Sequence, residues 1–389
     1  MAKKLRKLVV NVVLDTNSLF TEAAHNLVNL ETADLMKESN TAEGIETVWY
    51  MPSTVRGERK YQMLNRAEKI LPQIEKVERL LGHKLGISKE ILAERVEATI
   101  SAQLHSMNMQ ELVLDHAKVD WPALADKAVN RIPPFESGEK EKGFRDALIL
   151  ESFYQLVEEQ PKSPGICRTF LITGDELLKL AAETRIEDRG NVRILGTLEE
   201  FRTIINALKS EISEQLLNSI LPMARLLFWN DKDEGCLWRR GVQSEIFQKN
   251  YALLTAKVGS DGAVTGRTVG VPITTFIKKV GQRISFETKI PVEIEITTKT
   301  YAAAPSGFST PTSGLSGASI EALKNLGLAG FSEATNPLTQ GILGQPQFNV
   351  VERKNTDSHM FAAKWHATLT TTGKLINAQL DNVEHVVAE

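Results

Sequence analysis

VVNVVLDTNSLF, residues 9–20, is the stretch that decides the fold. Its first six residues are valine and leucine with a single Asn11, a composition typical of a strand buried on both faces of a parallel sheet. Asp15, Thr16 and Asn17 follow, and residues of these types often begin helices. The stretch therefore predicts a buried strand that ends in an aspartate, at the edge where ligands bind in open α/β sheets.

Three further acidic residues lie beside apolar runs. Glu58 follows the strand candidate at 46–51, Asp146 precedes the run ALIL, and Asp175 follows the strand-like residues 168–173. If all four acids gather at one edge of a sheet, their oxygens form a ligand set suited to Mg²⁺ or Mn²⁺. Clustered carboxylates raise each other's pKa, and a bound cation relieves that repulsion. Such a set predicts metal-assisted cleavage of a phosphodiester.

The alternation of strands and helices extends from residue 9 to about residue 210. Strands are predicted at 9–14, 46–51, 168–173 and 191–195. The segment from 55 to about 130 is predicted to be almost entirely helical, and it forms a helical insertion at about 60–130. This order is typical of an α/β domain with a mostly parallel sheet, which we assign to residues 1–210.

After about residue 221 the pattern changes. Residues 284–297 and 361–369 approach the period of two that is typical of antiparallel strands with one exposed face. Residues 302–345 between them are rich in Gly, Ser, Thr and Pro, which predicts a flexible insertion. Residues 211–389 are therefore predicted to form a β-rich second domain. This domain would recognise a target or a regulatory partner, or mediate self-association.

The composition limits the class of protein. The chain of 389 residues is longer than one hydrophobic core usually serves. Its formal net charge is -3, so any contact with nucleic acid must be a local basic patch. Two cysteines cannot build a disulfide framework, which predicts a cytoplasmic protein. The apolar run behind the basic N-terminus is too short for a membrane span, so no membrane partner is expected.

Other hydrolase classes lack their motifs in this sequence. The seven histidines lie outside any His-x-x-His or His-Glu-x-x-His run, which argues against a zinc hydrolase. No Gly-x-x-x-x-Gly-Lys-Ser/Thr run supports a nucleotide-binding loop. A haloacid-dehalogenase phosphatase would need a second aspartate two positions after the first, where this chain has Asn17.

The order of four short motifs resembles that of PIN-domain nucleases. The motifs are Asp15-Thr16-Asn17, Pro-x-x-Val-x-x-Glu at 52–58, Gly-x-x-Asp-Ala-Leu-Ile at 143–149 and Thr-x-Asp at 173–175. The resemblance covers residues 8–205, and it is greatest to the larger bacterial type with an additional C-terminal domain. It implies a metal-dependent nuclease, with Mg²⁺ or Mn²⁺ as cofactor, built on a parallel sheet flanked by helices.

The resemblance also implies roles for individual residues. Four acids would be catalytic and would bind the metal: Asp15, Glu58, Asp146 and Asp175. Two polar residues would orient these acids: Asn17 and Thr173. Basic residues border two of the acids, and we predict that three of them contact substrate phosphates: Lys142, Arg145 and Arg59.

Structural interpretations of the same residues remain open. Asp15 and Asp175 follow strands and begin helices, so helix capping alone would explain either one. Arg56-Gly57 stands where PIN proteins carry an apolar residue and often a second acid. We predict an endoribonuclease that acts on single-stranded RNA. The alternatives are an inactive scaffold that binds RNA or protein, and a structure-specific DNA nuclease.

Overall fold

The computed structural model describes residues 7–137, 142–186, 189–259, 262–303 and 348–386, and only the backbone of 300–303 and 348–351. Most of the flexible insertion predicted at 302–345 therefore lies outside the described residues. Within these ranges no helix is long and apolar enough to cross a membrane.

The N-terminal region alternates strands and helices. Its strands are β1 (Leu8–Leu14), β2 (Ile45–Pro52), β3 (Met109–Leu112), β4 (Cys167–Ile172) and β5 (Val192–Leu195). Its helices are α1 (Thr16–Leu19), α2 (Leu30–Asn40), α3 (Ser53–Glu68), α4 (Leu71–Leu81), α5 (Lys89–Ser106), α6 (Trp121–Val129), α7 (Phe144–Glu159), α8 (Glu176–Ile186) and α9 (Leu198–Lys209). The four predicted strands are confirmed, each within one residue at either end.

The short strand β3 was not predicted. It lies inside the segment that the pattern assigns to helices, so that assignment is wrong at residues 109–112. The strand consists of MQEL, without the β-branched and aromatic residues that are enriched in strands. It forms the edge of its sheet and pairs only with β2, so its neighbour rather than its own sequence determines its conformation.

Strand β1 lies at the centre of a five-stranded sheet with the order β3-β2-β1-β4-β5, in which every pair is parallel. Val10, Val12 and Leu14 belong to a core on one face, with residues of α2, α5 and α9. Val13 belongs to a second core, with residues of α7 and α8. A strand that is apolar on both faces needs a helical layer on each side, and β1 has both.

The C-terminal region contains a separate antiparallel sheet under a helical layer. Its elements are α10 (Glu214–Phe228), two π-helical segments (Trp238–Val242 and Glu245–Lys249), α11 (Tyr251–Leu254), β6 (Gly262–Val269), β7 (Ile273–Val280), β8 (Arg283–Ala303), β9 (Phe348–Leu369) and β10 (Leu375–Val386). The strand order is β10-β9-β8-β6, and β7 also pairs with β8. The β-rich prediction is confirmed, whereas the helical layer was not predicted.

Pro291 lies in the middle of β8, where a proline normally breaks the hydrogen-bond ladder. At this residue the neighbour on one edge of β8 changes from β6 to β7. Pro291 O accepts a hydrogen bond from Gly270 N at 2.8 Å. In an antiparallel strand the N–H and C=O of one residue point to the same edge. The missing N–H of Pro291 therefore faces the junction of two strands, where no partner is lost.

Helix α9 connects the two regions. It contributes Phe201 to the core of the parallel sheet and Ala207 to the core of the antiparallel sheet. Lys289 of β8 pairs with Glu31 of α2 and with Glu199 of α9, and its side chain is only 17% exposed. The domain boundary near residue 210 stays a prediction, because α9 and Lys289 make contacts between the two regions.

Gly143 fixes the start of α7 against the chain that precedes it. Its φ is +106°, and a Cβ atom at this position would lie 2.4 Å from Pro134 O and 2.8 Å from Phe135 Cα. Both the positive φ and the close backbone approach favour glycine here. The position of α7, and with it that of Asp146, depends on this residue.

We expect Gly143→Ala to reduce the free energy of unfolding by about 1–3 kcal/mol, because the strain and the clash act only in the folded state. Urea unfolding followed by circular dichroism measures the change. Gly57→Ala in α3 is the matched control, since nothing lies within 4 Å of a Cβ there. It should be neutral or stabilising by about 0.5–1 kcal/mol. Equal midpoints for Gly143→Ala and the wild type would contradict the prediction.

Candidate active site

The carboxyl ends of β1, β2 and β4 bring three of the four predicted acids to one edge of the parallel sheet. Asp15 follows β1 directly, Glu58 lies in α3 immediately after β2, and Asp175 lies between β4 and α8. Asp146 comes from the first turn of α7. The charges of the other three acids all raise the pKa of Asp146, so the four carboxyl groups lie near one another, and we call them the acid cluster.

Asp15 is buried, and both of its carboxylate oxygens accept hydrogen bonds. Thr16 N donates to Oδ1 at 2.6 Å, and Thr173 Oγ1 donates to Oδ2 at 2.9 Å. Burial raises the pKa of Asp15, these two hydrogen bonds oppose the rise, and the charges of Glu58 and Asp175 add to it. Burial therefore disfavours the ionised form of Asp15, and the two hydrogen bonds offset this effect only in part.

Thr173 connects two of the acids. Its hydroxyl donates to Asp15 and accepts a hydrogen bond from the backbone N–H of Asp175 at 3.0 Å. The side chain is buried at the end of β4. Thr173 thus links the carboxylate of Asp15 to the backbone of Asp175, and the orienting role that the resemblance implies for it stays a prediction.

Thr16, rather than Asn17, contacts an acid on the other side. The hydroxyl of Thr16 donates to Glu58, whose second oxygen accepts from the guanidinium of Arg145. Asn17 is exposed, and its side chain has no hydrogen-bond partner in the part of the chain that the structure describes. Four polar residues follow β1, at positions 15–18, and their pattern in the sequence does not show which side chains turn inward.

Asp175 also caps the start of α8, which is the structural role that the sequence left open for it. Its Oδ1 accepts hydrogen bonds from Leu177 N at 2.8 Å and from Leu178 N at 2.9 Å. Asp15 likewise is the N-cap residue of α1. Capping and membership of the acid cluster therefore coexist in these two residues.

Asp146 is the exception among the four acids. It is half-buried, and it accepts no hydrogen bond from any residue that the structure describes. Burial and the charges of Asp15, Asp175 and Glu58 raise the pKa of Asp146 to about 6, against a smaller opposing effect of Arg145. At neutral pH this side chain is therefore an ionised carboxylate held in a repulsive environment.

Among the three basic residues predicted to contact substrate, Arg145 lies beside the acids. Its side chain is 69% exposed and pairs with Glu58. Lys142 is also exposed, but it pairs with Glu136 at 3.0 Å. Because Arg145 is exposed, its guanidinium can exchange Glu58 for a phosphate oxygen. Lys142 precedes α7 by two residues.

The placement of Arg59 does not fit the substrate contact that was predicted for it. It is fully buried and donates to the carbonyl oxygens of Leu27 and Asn26, both at 2.9 Å. Burial lowers the pKa of its guanidinium to about 10. Adjacent residues on a helix do not share a face, so being next to Glu58 in sequence does not bring Arg59 to the acids. Arg59 instead holds the loop before α2.

A cavity of about 400 Å³ opens beside Glu58, with Tyr61 and Arg145 among its lining residues. Tyr61 is 70% exposed. It follows Glu58 by three residues and so lies on the same face of α3. Although this spacing is legible in the sequence, nothing in the sequence distinguishes Tyr61 from an ordinary exposed tyrosine.

The chemistry of the four acids suits a divalent cation, because carboxylate oxygens are its preferred protein ligands. A cation would also stabilise the ionised Asp146, which lacks a protein partner. The positions of these side chains are less favourable for binding an ion. Among the residues described, no group of three or more His, Cys, Asp or Glu is placed to hold one ion. The chain's own donors engage Asp15, Asp175 and Glu58 instead.

A parallel sheet with acids at the carboxyl ends of its strands defines a class of α/β domains with an acidic site. Residues 12–176 match the family model of the PIN domain. The N-terminal region of this chain is a PIN domain, and a separate antiparallel sheet follows it. PIN domains are generally metal-dependent nucleases that act on nucleic acids. No curated protein and no solved structure shows significant similarity to the chain.

The raised pKa of Asp146 predicts how stability depends on pH. Without metal, folded Asp146 keeps its proton up to about pH 6, whereas an ordinary aspartic acid releases it near 3.8. The folded state binds more protons in this window, so stability decreases as pH rises through it. We expect Asp146→Asn to stabilise the fold above pH 7 by about 1 kcal/mol, because partial solvation reduces the effect, and to change little at pH 4.

Thermal unfolding in EDTA at pH 4 and pH 7.5 measures this effect. Asp34→Asn is the matched control, because Asp34 is an exposed aspartate on α2 whose one ion-pair partner among the described residues is Lys37. The control should show no such dependence on pH. A stabilisation of equal size at both pH values, or destabilisation at pH 7.5, would contradict the assigned repulsion.

Proposed function

We propose that this chain is a metal-dependent nuclease that cuts single-stranded RNA internally. The observation that carries the proposal is the state of Asp146, a half-buried carboxylate that accepts no hydrogen bond from the described residues and that experiences the charges of three other acids. The fold keeps this destabilising arrangement, which helix capping does not require. Perturbed carboxyl groups of this kind cluster at functional sites.

The acids would hold the ion together, and neighbouring residues set their positions. When bound, Mg²⁺ or Mn²⁺ would neutralise charge on the phosphate and acidify the attacking water. The proposed ligands are Asp15, Glu58, Asp146 and Asp175. Thr173 and Thr16 orient Asp15 and Glu58 through their hydroxyls. Arg145 would leave Glu58 and bind a phosphate oxygen, which frees a Glu58 oxygen for the ion.

Tyr61 supports a single-stranded substrate. Unpaired bases stack on exposed aromatic rings without regard to sequence. Tyr61 lines the cavity beside Glu58, so a base stacked on it would lie close to the acids. The choice of RNA over DNA follows the ordered motifs of the PIN domain rather than any contact of these side chains.

A second candidate function is a PIN-type scaffold that binds RNA or protein without cutting. One observation favours it: Thr16 and Arg145 engage both oxygens of Glu58. If this ion pair does not open, Glu58 cannot become a metal ligand. The two functions differ in whether a divalent cation produces cleavage.

Cleavage of end-labelled single-stranded RNA and of matched DNA, with Mn²⁺, Mg²⁺ or EDTA, tests the proposed function. We expect the wild type to cut RNA only with metal. Asp146→Asn should lower the rate by at least about 100-fold, because it removes the one acid that has no competing partner. Since this variant should fold at least as well as the wild type, its loss of activity would not reflect unfolding.

Asp34→Asn again serves as the control and should cut at the wild-type rate. Wild-type activity in Asp146→Asn would contradict the proposed role of Asp146 and would indicate a contaminating nuclease. Preferential cutting of the matched DNA would favour the alternative of a DNA nuclease. A folded wild type that cuts nothing with Mn²⁺ would favour the scaffold.

The role of Tyr61 is tested separately from the chemical step. We expect Tyr61→Ala to raise KM for a short single-stranded RNA about tenfold, because the loss of one stacked base costs roughly 1–3 kcal/mol. The value of kcat should stay close to that of the wild type. Tyr61→Phe keeps the ring and should keep the KM. A fall in kcat at unchanged KM would contradict the stacking role.

A further inference from the structure

A second cavity, of about 560 Å³, lies in the C-terminal region between the end of α10 and the first π-helical segment. Its lining includes two aromatic, two acidic and two other polar residues, which are Trp229, Trp238, Asp231, Glu234, Arg239 and Gln243. None of these residues belongs to the acid cluster of the PIN domain. The cavity is therefore a separate feature whose chemistry has to be considered by itself.

The two tryptophans form a rigid aromatic wall. The ring centroids of Trp229 and Trp238 are 4.5 Å apart, with 32° between the ring planes. Trp238 is 7% exposed and contacts the edge of Phe247 at a centroid distance of 6.4 Å. Because these contacts hold the indole rings in place and Trp238 is buried behind Trp229, the half-buried ring of Trp229 is the part of the wall that can accept a flat ring without first being ordered.

The first π-helical segment and its C-cap supply three of the residues that line the cavity. Gln243 N donates to Trp238 O, a bond that spans five residues. This turn places Trp238 and Gln243 one above the other, whereas an α-helix would direct them to different sides. π-Helical turns are rare and are often found at functional sites. The segment brings Trp238, Arg239 and Gln243 to the same cavity.

The polar groups around the cavity include acceptors and donors. Asp231 Oδ1 accepts from Trp229 Nε1 at 3.1 Å. Glu234 is exposed and has no hydrogen-bond or ion-pair partner among the described residues. Arg239 uses Nη2 to donate to Asp231 O at 2.9 Å. The carboxylate of Glu234 and the outer N–H groups of Arg239 are therefore available to a ligand.

We propose that this cavity binds a guanine base of a single-stranded nucleic acid. A cationic ligand would face Arg239, and an anionic ligand would face Asp231 and Glu234. A neutral planar ring with both donors and acceptors along its edge avoids both conflicts. Such a ring would stack on the tryptophan wall, as bases stack on aromatic side chains in single-strand binding proteins.

Guanine matches the polar groups better than the other bases do. Its N1–H and N2 amino group donate along one edge, which suits the carboxylate of Glu234. Its O6 and N7 accept along the neighbouring edge, which suits the guanidinium of Arg239. Adenine has no amino group at C2 and an acceptor at N1, so it offers the carboxylate only its N6 amino group and lacks the two adjacent donors of guanine. The Watson–Crick edge is free only in a single strand.

The inference rests on the proposed function only in its expectation that nucleic acid is the partner. A base held here would anchor a strand to the C-terminal region while the PIN domain acts on it. Binding at this cavity does not need metal or cleavage, so a mononucleotide in EDTA is a sufficient probe. A failure of the nuclease assay and a failure of guanine binding are thus separate results.

Tryptophan fluorescence of the full chain in EDTA, titrated with GMP, AMP, CMP and UMP, tests the proposal. We expect saturable quenching by GMP, with an affinity at least about tenfold higher than that for the other three. Glu234→Gln should weaken GMP binding about tenfold or more, because it removes a charged acceptor. Asp233→Asn is the matched control. It removes the same charge from the same loop but does not line the cavity, and it keeps the acceptor for Gly235 N.

Four results would overturn the proposal. They are the absence of saturable quenching by GMP, equal affinity for all four nucleotides, wild-type affinity in Glu234→Gln, and preferential binding of N-acetylargininamide. The last result would identify a cation site instead. Selective GMP binding that is lost in Glu234→Gln and kept in Asp233→Asn would support the proposal, whether or not the protein cuts RNA.

Discussion

The burial of β1 on both faces is the constraint on which the rest of the PIN domain depends. Because Val10 and Val12 face one core and Val13 faces the other, helices must cover both sides of the sheet. Helical crossovers between adjacent strands make the sheet parallel, and a parallel sheet has all its carboxyl ends at one edge. Asp15 and Asp175 are therefore forced together by the same packing that stabilises the domain.

This convergence creates an electrostatic cost that the neighbouring residues offset unequally. Hydrogen bonds to Thr173 and Thr16 support Asp15, and Arg145 neutralises part of the charge of Glu58. Asp146 receives no comparable support, so its pKa rises to about 6. Proteins tolerate such local destabilisation mainly where function needs it. The acid without a partner is therefore the main support for the proposed site.

The antiparallel sheet of the C-terminal region packs differently from the parallel sheet. Its antiparallel sheet is apolar on one face, and α10 and the two π-helical segments cover that face. The same π-helical geometry opens the cavity beside Trp238. Lys289 links the sheet to Glu31 and Glu199 of the PIN domain. A strand of nucleic acid held at the tryptophan wall would therefore be bound to the same folded unit that contains the acids.

The sequence by itself determined the positions of four strands, the parallel class of the first sheet and the order of the acids, because hydrophobic periodicity and strand-end residues are local signals. Only the tertiary structure decided that Thr16 rather than Asn17 turns inward, that Arg59 is buried, and that residues 109–112 form a strand. Arg145 and Glu58 are 87 residues apart in sequence, and a π-helical turn brings Trp238 and Gln243 to the same cavity. Local pattern shows that a side chain is buried or exposed, whereas its partner depends on contacts between distant segments.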